Sequence, residues 1–209
     1  MFIFLEIGSE LSTLIPLAIA LFGFQRRPVE LRILAGYFLV TALLSGIMRY
    51  LASQGDWTFW LMHIYTPLEY GFFAVIFSFW ERNLAVRRII RLSVPLFVAF
   101  CLIIKLFAEG QNEFDNFSAS IESVLLVALS LRAFVDLNAS NPESIFALPR
   151  FWISAAVLLY FAGSLIIFSQ GTLESSLWSI HNVLNISSNL LFAVAFLCHL
   201  SRPKFFGRP

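Results

Sequence analysis

The sequence predicts an all-α, polytopic membrane protein with seven transmembrane helices, an outside N-terminus and a cytoplasmic C-terminus. Of the 209 residues, 59% are hydrophobic and only 13% are charged, whereas soluble domains carry about 25% charged residues. The mean hydropathy is +0.81. Because so little polar sequence is left over for a soluble domain, we interpret residues 1–209 as a single transmembrane domain.

The second observation is a series of long apolar stretches, since a spanning helix needs roughly 20 mostly apolar residues. Seven stretches qualify, and they lie at about 4–24, 31–52, 58–80, 89–107, 116–135, 150–169 and 176–199. The longest connection, between the fifth and sixth spans, contains LNASNPES, which is typical of a turn-rich loop.

The third observation is the position of the basic residues. The first loop and its edges hold Arg26, Arg27 and Arg32, and the third loop and its edges hold Arg82, Arg87, Arg88 and Arg91. Arg132 and Arg150 bound the fifth loop, and the tail carries Arg202, Lys204 and Arg208. Arg49 and Lys105 are the two exceptions. Because basic loops stay cytoplasmic, this pattern predicts the orientation of the termini given above.

The predicted third span, WLMHIYTPLEYGFFAVIFSFW, carries Glu69 near its middle. A carboxylate at this depth costs about 2.5–3.5 kcal/mol on insertion scales and usually faces the bundle interior. Glu122 lies at a similar depth, about 15 Å from Arg132 along a straight helix. Pro67 cannot donate a backbone hydrogen bond, so it permits a kink just before Glu69.

Polar residues on several spans recur at helical spacing and therefore share faces. They are Tyr37, Thr41, Ser45 and Arg49 on the second span, Tyr65, Thr66 and Glu69 on the third, Ser118 and Glu122 on the fifth, and Trp178, His181, Asn182, Asn185, Ser188 and Asn189 on the seventh. Lipid cannot satisfy such groups, so we expect the faces to meet inside the bundle.

This convergence predicts an outward-facing polar pocket. We expect its ligand-binding residues to be Arg49, His63, Tyr65, Glu69, Glu122, His181, Asn182 and Asn185. Arg49 is expected to meet Glu69, with Glu122 and Glu10 as further partners, and to hold an anionic or polar group. His63 and His181 are expected to tune the rim, because imidazole changes charge near physiological pH.

The predicted function is ligand binding or sensing, with an unknown small ligand, surrounding membrane lipids and a cytoplasmic protein partner on the basic loops. The alternatives are a small proton-coupled transporter, an intramembrane lipid-modifying enzyme, and polar residues that only hold the helices together. No HExxH motif supports a metal site, and the last span has no lysine for a retinal Schiff base. We therefore expect no cofactor and no catalytic or metal-binding residue. The net charge of +1 indicates no nucleic-acid partner.

Four stretches carry a resemblance to known proteins: ELSTLIPLAIALFGFQRRPVELR, HIYTPLEYGFF, PRFWISAAVLLYFAGSLIIF and WSIHNVLNISSNLLFAVAFLC. The chain resembles a group of small bacterial seven-helix membrane proteins with no assigned activity, which are similar to the membrane part of seven-helix sensors. The resemblance implies a multi-pass protein of a bacterial cytoplasmic membrane. It also supports Tyr65, Glu69, Asn182 and Asn185 as pocket residues.

Overall fold

The computed structural model describes residues 2–107, 115–140, 145–169 and 175–200. These residues form eight α-helices: α1 (Phe2–Ser12), α2 (Leu14–Leu21), α3 (Val29–Ser53), α4 (Phe59–Trp80), α5 (Leu84–Phe107), α6 (Asn116–Ser140), α7 (Pro149–Ser169) and α8 (Ser175–Leu200). Two short 3₁₀ turns, Phe24–Arg26 and Ile145–Ala147, precede α3 and α7. No strand occurs within these four ranges, which confirms the all-α prediction.

Six stretches of the described chain are long and apolar enough to cross a membrane. They are Phe4–Leu21, Val29–Ser53, Leu84–Phe107, Asn116–Leu137, Pro149–Ile167 and Leu177–Leu200. This confirms a multi-pass membrane protein. Helix α4, which corresponds to the predicted third span, is not among these six; it is 22 residues long and carries His63, Thr66 and Glu69. The count of seven spans and the orientation of the termini remain predictions.

Helix α4 lies at the centre of the bundle and packs against α3, α5 and α6. Helices α6, α7 and α8 pack in sequence, and α8 also contacts α1 and α2. Gly163 allows the close approach of α7 to α8, since a Cβ atom there would lie 2.3 Å from Cδ1 of Leu184. Helix α5 packs mainly against α4 and lies at the edge.

Aromatic rings join α3, α4 and α8 in the core. The Phe73 and Phe192 rings stack with centroids 5.8 Å apart, and Phe38 meets Phe192 edge-on at 5.3 Å. Within a membrane such packing is a main source of helix association, because lipid tails are as apolar as the side chains. These three rings also form part of the wall of the cavity described below.

The first predicted span is broken into α1 and α2 at Thr13. Pro16 explains the break, because it has no N–H and its ring would clash with the carbonyl of Ser12 in a continuous helix. Helix α8 supports the break: Asn189 Nδ2 donates to Ser12 Oγ at 2.8 Å, and Asn185 Nδ2 donates to Ser9 Oγ at 2.8 Å. The first predicted span, 4–24, therefore corresponds to one apolar stretch, Phe4–Leu21, that consists of two consecutive helices.

The ends of α2, α4, α6 and α8 meet the starts of α3 and α7 at one end of the bundle, which we call the basic end. Arg27 is 3% exposed there and donates four hydrogen bonds to carbonyl oxygens of Ile19, Ala20, Phe22 and Phe196, at 2.7–3.1 Å. Arg27 thus ties α2 to α8. Burial lowers its pKa, but an arginine remains charged in proteins.

Glu81 joins the ends of α4 and α6 at the basic end. Arg132 Nε donates to Glu81 Oε2 at 2.5 Å, and the backbone N–H of Asn83 donates to Oε1 at 2.8 Å. The hydrogen bond from Arg132 holds the pKa of Glu81 below its usual value. Burial opposes this effect, and the Asn83 bond and the charges of Arg132 and Arg150 add to it.

We expect Glu81→Gln to destabilise the protein at neutral pH by about 1 kcal/mol, since Arg132 is half-exposed and water screens the pair. A carboxyl group whose pKa is lower in the folded than in the unfolded state stabilises the fold at pH values above its unfolded-state pKa, about 4.3. This stabilisation is lost as the pH falls through the folded-state pKa. The gap between variant and wild type should therefore close at acidic pH. Thermal unfolding in detergent, followed by circular dichroism at a series of pH values from neutral to acidic, measures the difference in stability between the variant and wild type. A gap that stays constant with pH would contradict the assignment.

Candidate functional site

A cavity of about 160 Å³ lies inside the bundle, between α1, α3, α4, α6, α7 and α8. An engineered cavity of about 150 Å³ holds benzene. The volume therefore suits a ligand about the size of a small aromatic molecule. Its walls combine buried carboxyl groups with aromatic rings, and the next paragraphs describe these in turn.

Glu69 on α4 accepts two hydrogen bonds at the same oxygen. Tyr37 Oη of α3 donates to Oε1 at 2.5 Å, and Tyr65 Oη, one turn earlier on α4, donates at 2.9 Å. The two hydroxyls lie 3.0 Å apart, and Thr41 Oγ1 lies 3.4 Å from Tyr65 Oη. Two converging donors of this kind hold a carboxyl group in a defined orientation.

Three further carboxyl groups line the same cavity: Glu10 of α1, Glu122 and Asp115. Glu122 of α6 is 2% exposed, and among the described residues its Oε1 has no hydrogen-bond partner. Asp115, directly before α6, is also 2% exposed and accepts a hydrogen bond from Thr66 Oγ1 of α4. An unpaired polar atom in a buried site carries a desolvation penalty of about 1–3 kcal/mol, more if charged. Glu122 thus provides unused hydrogen-bonding capacity.

Helix α8 supplies a further polar part of the wall. The His181 ring stacks on Trp178 with centroids 4.9 Å apart and lies 5.5 Å from the ring of Tyr160 on α7. Asn185, Ser188 and Asn189 follow along the same face and line the cavity. These residues, which recur at helical spacing in the sequence, thus form one wall of the site.

Five of the eight predicted binding residues line this cavity: Tyr65, Glu69, Glu122, His181 and Asn185. His63 and Asn182 are buried but are not among its lining residues. Arg49 also lies outside the lining.

Arg49 contacts Glu10, not Glu69 as expected. Its Nη1 lies 3.1 Å from Glu10 Oε2, and the two side chains are 54% and 36% exposed. Arg49 lies near the C-terminal end of α3, and this pairing leaves the guanidinium partly exposed. Reaching Glu69 would bury it, at a cost of several kcal/mol. The expected role of Arg49 as an anchor for an anionic group therefore has no support from its position.

Sequence reasoning missed two further residues of the site. Asp115 is not among the predicted binding residues, because its contact with Thr66 of α4 is not visible in the sequence pattern. Tyr160 of α7 also lines the cavity. The signal for Tyr160 was a single tyrosine within the otherwise apolar run PRFWISAAVLLYFAGSLIIF.

The chemistry of the site follows from what lines it. In the part of the chain that the structure describes, no lysine or arginine side chain lines the cavity. Ser120 and Ser123 each donate to a carbonyl oxygen one turn earlier at 2.7 Å and are not among the lining residues. No group of three or more His, Cys, Asp or Glu placed to hold a metal ion occurs within the described residues. The cavity is therefore suited to ligands that donate hydrogen bonds or carry positive charge.

Comparisons with models of protein families, with curated proteins and with solved structures found no match to this chain.

Proposed function

We propose that this protein binds a small organic cation in the central cavity and acts as a membrane receptor or sensor for it. The observation that carries the proposal is the placement of Glu69 and Glu122 in one aromatic-walled cavity. Carboxylates attract an ammonium group, and the faces of Trp and Tyr rings add cation–π attraction of about 0.5–2 kcal/mol. The rings of Tyr37, Tyr160 and Trp178 line the cavity.

The proposed site favours a cationic ligand over an anionic one. An anionic ligand would bring a further negative group next to buried carboxyl groups, and like charges at close range disfavour each other by several kcal/mol. An ammonium ligand instead gives Glu122 Oε1 the hydrogen-bond donor that it lacks among the described residues. The proposal therefore replaces the anionic group first expected at Arg49 with a cationic group at Glu69 and Glu122.

The proposed topology has seven spans, with α4 as the third, and an outside N-terminus in a bacterial cytoplasmic membrane. It is supported by the basic end, where Arg26 lies between α2 and α3, Arg82 lies between α4 and α5, and Arg150 lies in the first turn of α7. With this end in the cytoplasm, the cavity faces outward and exposed arginines there are accessible to a protein partner that would relay a signal.

We expect benzylammonium to raise the thermal unfolding temperature of the purified protein, whereas benzyl alcohol and benzoate do not. The three probes share a benzene ring that suits the cavity volume and differ in charge. Ligands that bind only the folded state stabilise it by about 2.7 kcal/mol at a hundredfold excess over Kd. Intrinsic tryptophan fluorescence during heating in detergent measures the shift, and calorimetry gives the affinity.

The result that contradicts the proposal is equal stabilisation by all three probes, or preferential stabilisation by benzoate. Equal shifts would indicate adsorption through the benzene ring alone. Preference for benzoate would mean that charge in the cavity is opposite to that inferred here.

A second candidate function is proton-coupled transport. The hydrogen-bonded group of Thr41, Tyr65, Tyr37 and Glu69 favours it, because linked hydroxyl and carboxyl groups can pass protons. Uptake of benzylammonium into proteoliposomes that stops when the pH gradient is collapsed would support transport. Binding without uptake would support the receptor proposal. The lipid-modifying enzyme has less support, since Ser120 and Ser123 donate within their own helix.

A further inference from the structure

A second cavity, of about 570 Å³, lies at the basic end of the bundle. It is separate from the central cavity, and no lining residue is shared between them. The starts of α3 and α7 and the ends of α4, α6 and α8 line it. The lining residues are Pro28, Glu30, Leu31, Trp80, Arg82, Leu137, Leu148, Pro149, Arg150, Ile153 and His199.

The charge of this cavity is opposite to that of the central one. Two arginines, Arg82 and Arg150, and His199 line it, against a single carboxylate, Glu30. A cavity of this size lies within the usual range for ligand sites, about 300–1,000 Å³. Its charge favours an anion.

Arg150 is held in place but is incompletely paired. Its guanidinium carbon lies 5.4 Å from the centroid of the Trp80 ring, and Nη2 lies 3.5 Å from Oδ2 of Asp136. Nε is buried and, among the described residues, has no hydrogen-bond partner. A fixed arginine with an unused donor binds an oxyanion at little cost in side-chain ordering.

Two helix N-termini border the same cavity. Helix α3 begins after Pro28 and has no side-chain cap, and α7 begins at Pro149. The N–H groups of Leu31 and Phe151 in these first turns already donate to the carbonyl oxygens of Pro28 and Leu148. The positive ends of the two helix dipoles add to the field of Arg82 and Arg150. Helix N-termini are by their geometry suited to phosphate groups.

We propose that this cavity binds a phosphate group, carried either by an anionic membrane lipid or by a soluble phosphate compound. Its position at the helix ends, beside Trp80, corresponds to the headgroup level of a bilayer, where tryptophan is enriched. Basic pockets between spanning helices are known binding places for anionic headgroups. The site does not depend on the ligand class proposed for the central cavity.

The test uses the full-length protein purified from membranes that contain phosphatidylglycerol and phosphatidylcholine. Native mass spectrometry counts the phosphatidylglycerol that stays bound to wild type, Arg82→Gln and Arg88→Gln. Both arginines are exposed and lie near the basic end, but only Arg82 lines the cavity, so Arg88→Gln is a matched control. We expect Arg82→Gln to weaken retention about tenfold, as loss of one charge-assisted contact does, and Arg88→Gln to retain the lipid.

A parallel measurement distinguishes the source of the phosphate. A soluble phosphate compound would be supported if inorganic phosphate stabilises the lipid-stripped protein, this effect depends on Arg82, and phosphatidylglycerol is not preferentially retained. Arg82-dependent retention of phosphatidylglycerol would support the lipid. The proposal is overturned when Arg82→Gln and Arg88→Gln behave alike in both measurements.

Discussion

Replacing Arg27 with alanine is expected to destabilise the protein by at least about 3 kcal/mol. The guanidinium satisfies four carbonyl oxygens, of Ile19, Ala20, Phe22 and Phe196, and lies 4.9 Å from the centroid of the Phe196 ring. Its removal leaves buried carbonyl oxygens without a hydrogen-bond donor. Each such oxygen that water does not reach lowers the stability of the fold by about 1–3 kcal/mol. The loss should separate the end of α2 from α8.

The matched control is Arg26→Ala. Arg26 is the preceding residue and is exposed, so its removal should change stability by no more than about 0.5 kcal/mol. Arg27→Lys should give an intermediate loss, because a single ammonium cannot satisfy four carbonyl groups in the geometry of a planar fork. Unfolding in detergent, followed by circular dichroism, gives all three values. Equal stability of Arg26→Ala and Arg27→Ala would show that Arg27 acts only as a surface charge.

The second large effect is expected for Glu122→Gln on binding of benzylammonium. The change keeps the size of the side chain and removes the carboxyl group that would carry a negative charge beside a bound ammonium. A hydrogen bond to a charged group contributes about 1.5–3 kcal/mol, so the affinity should fall roughly 10- to 100-fold. Calorimetric titration of the purified protein with benzylammonium measures this fall.

Glu6→Gln is the control, since Glu6 lies on α1, is exposed and does not line the cavity. It removes the same charge and should leave the affinity within about twofold. Glu122→Gln should also fold at least as stably as wild type, because it replaces a buried acid that is incompletely paired. A variant that unfolds, or that binds as tightly as wild type, would contradict the assigned role of Glu122.

Much of the fold could be predicted from the sequence because a membrane imposes simple one-dimensional requirements. A helix must be long and apolar, and charged residues collect where helices end. These requirements identified the helices, although α3 and α5 begin earlier than predicted, at Val29 and Leu84. Arginines at the start of α5 are compatible with a helix that extends beyond the apolar region.

The candidate site was predictable only in part. Helical spacing placed Tyr65 and Glu69 on one face, and the structure gives them a direct hydrogen bond of 2.9 Å. Spacing within one helix, however, carries no information on which residue of another helix lies opposite. The contact of Thr66 with Asp115 and the pair of Arg49 with Glu10 depend on such packing.

The sequence by itself determined that this is a helical, multi-pass membrane protein with carboxyl groups inside its long helices, because length, hydropathy and spacing are properties of single segments. Only the tertiary structure decided which polar groups share a cavity and which charges are paired. Arg27 illustrates the difference: by sequence it is one basic loop residue among several, and in the fold it is buried against Phe196. The physical reason is that a polar group in a membrane must find a partner, and its partners come from segments far apart in the chain.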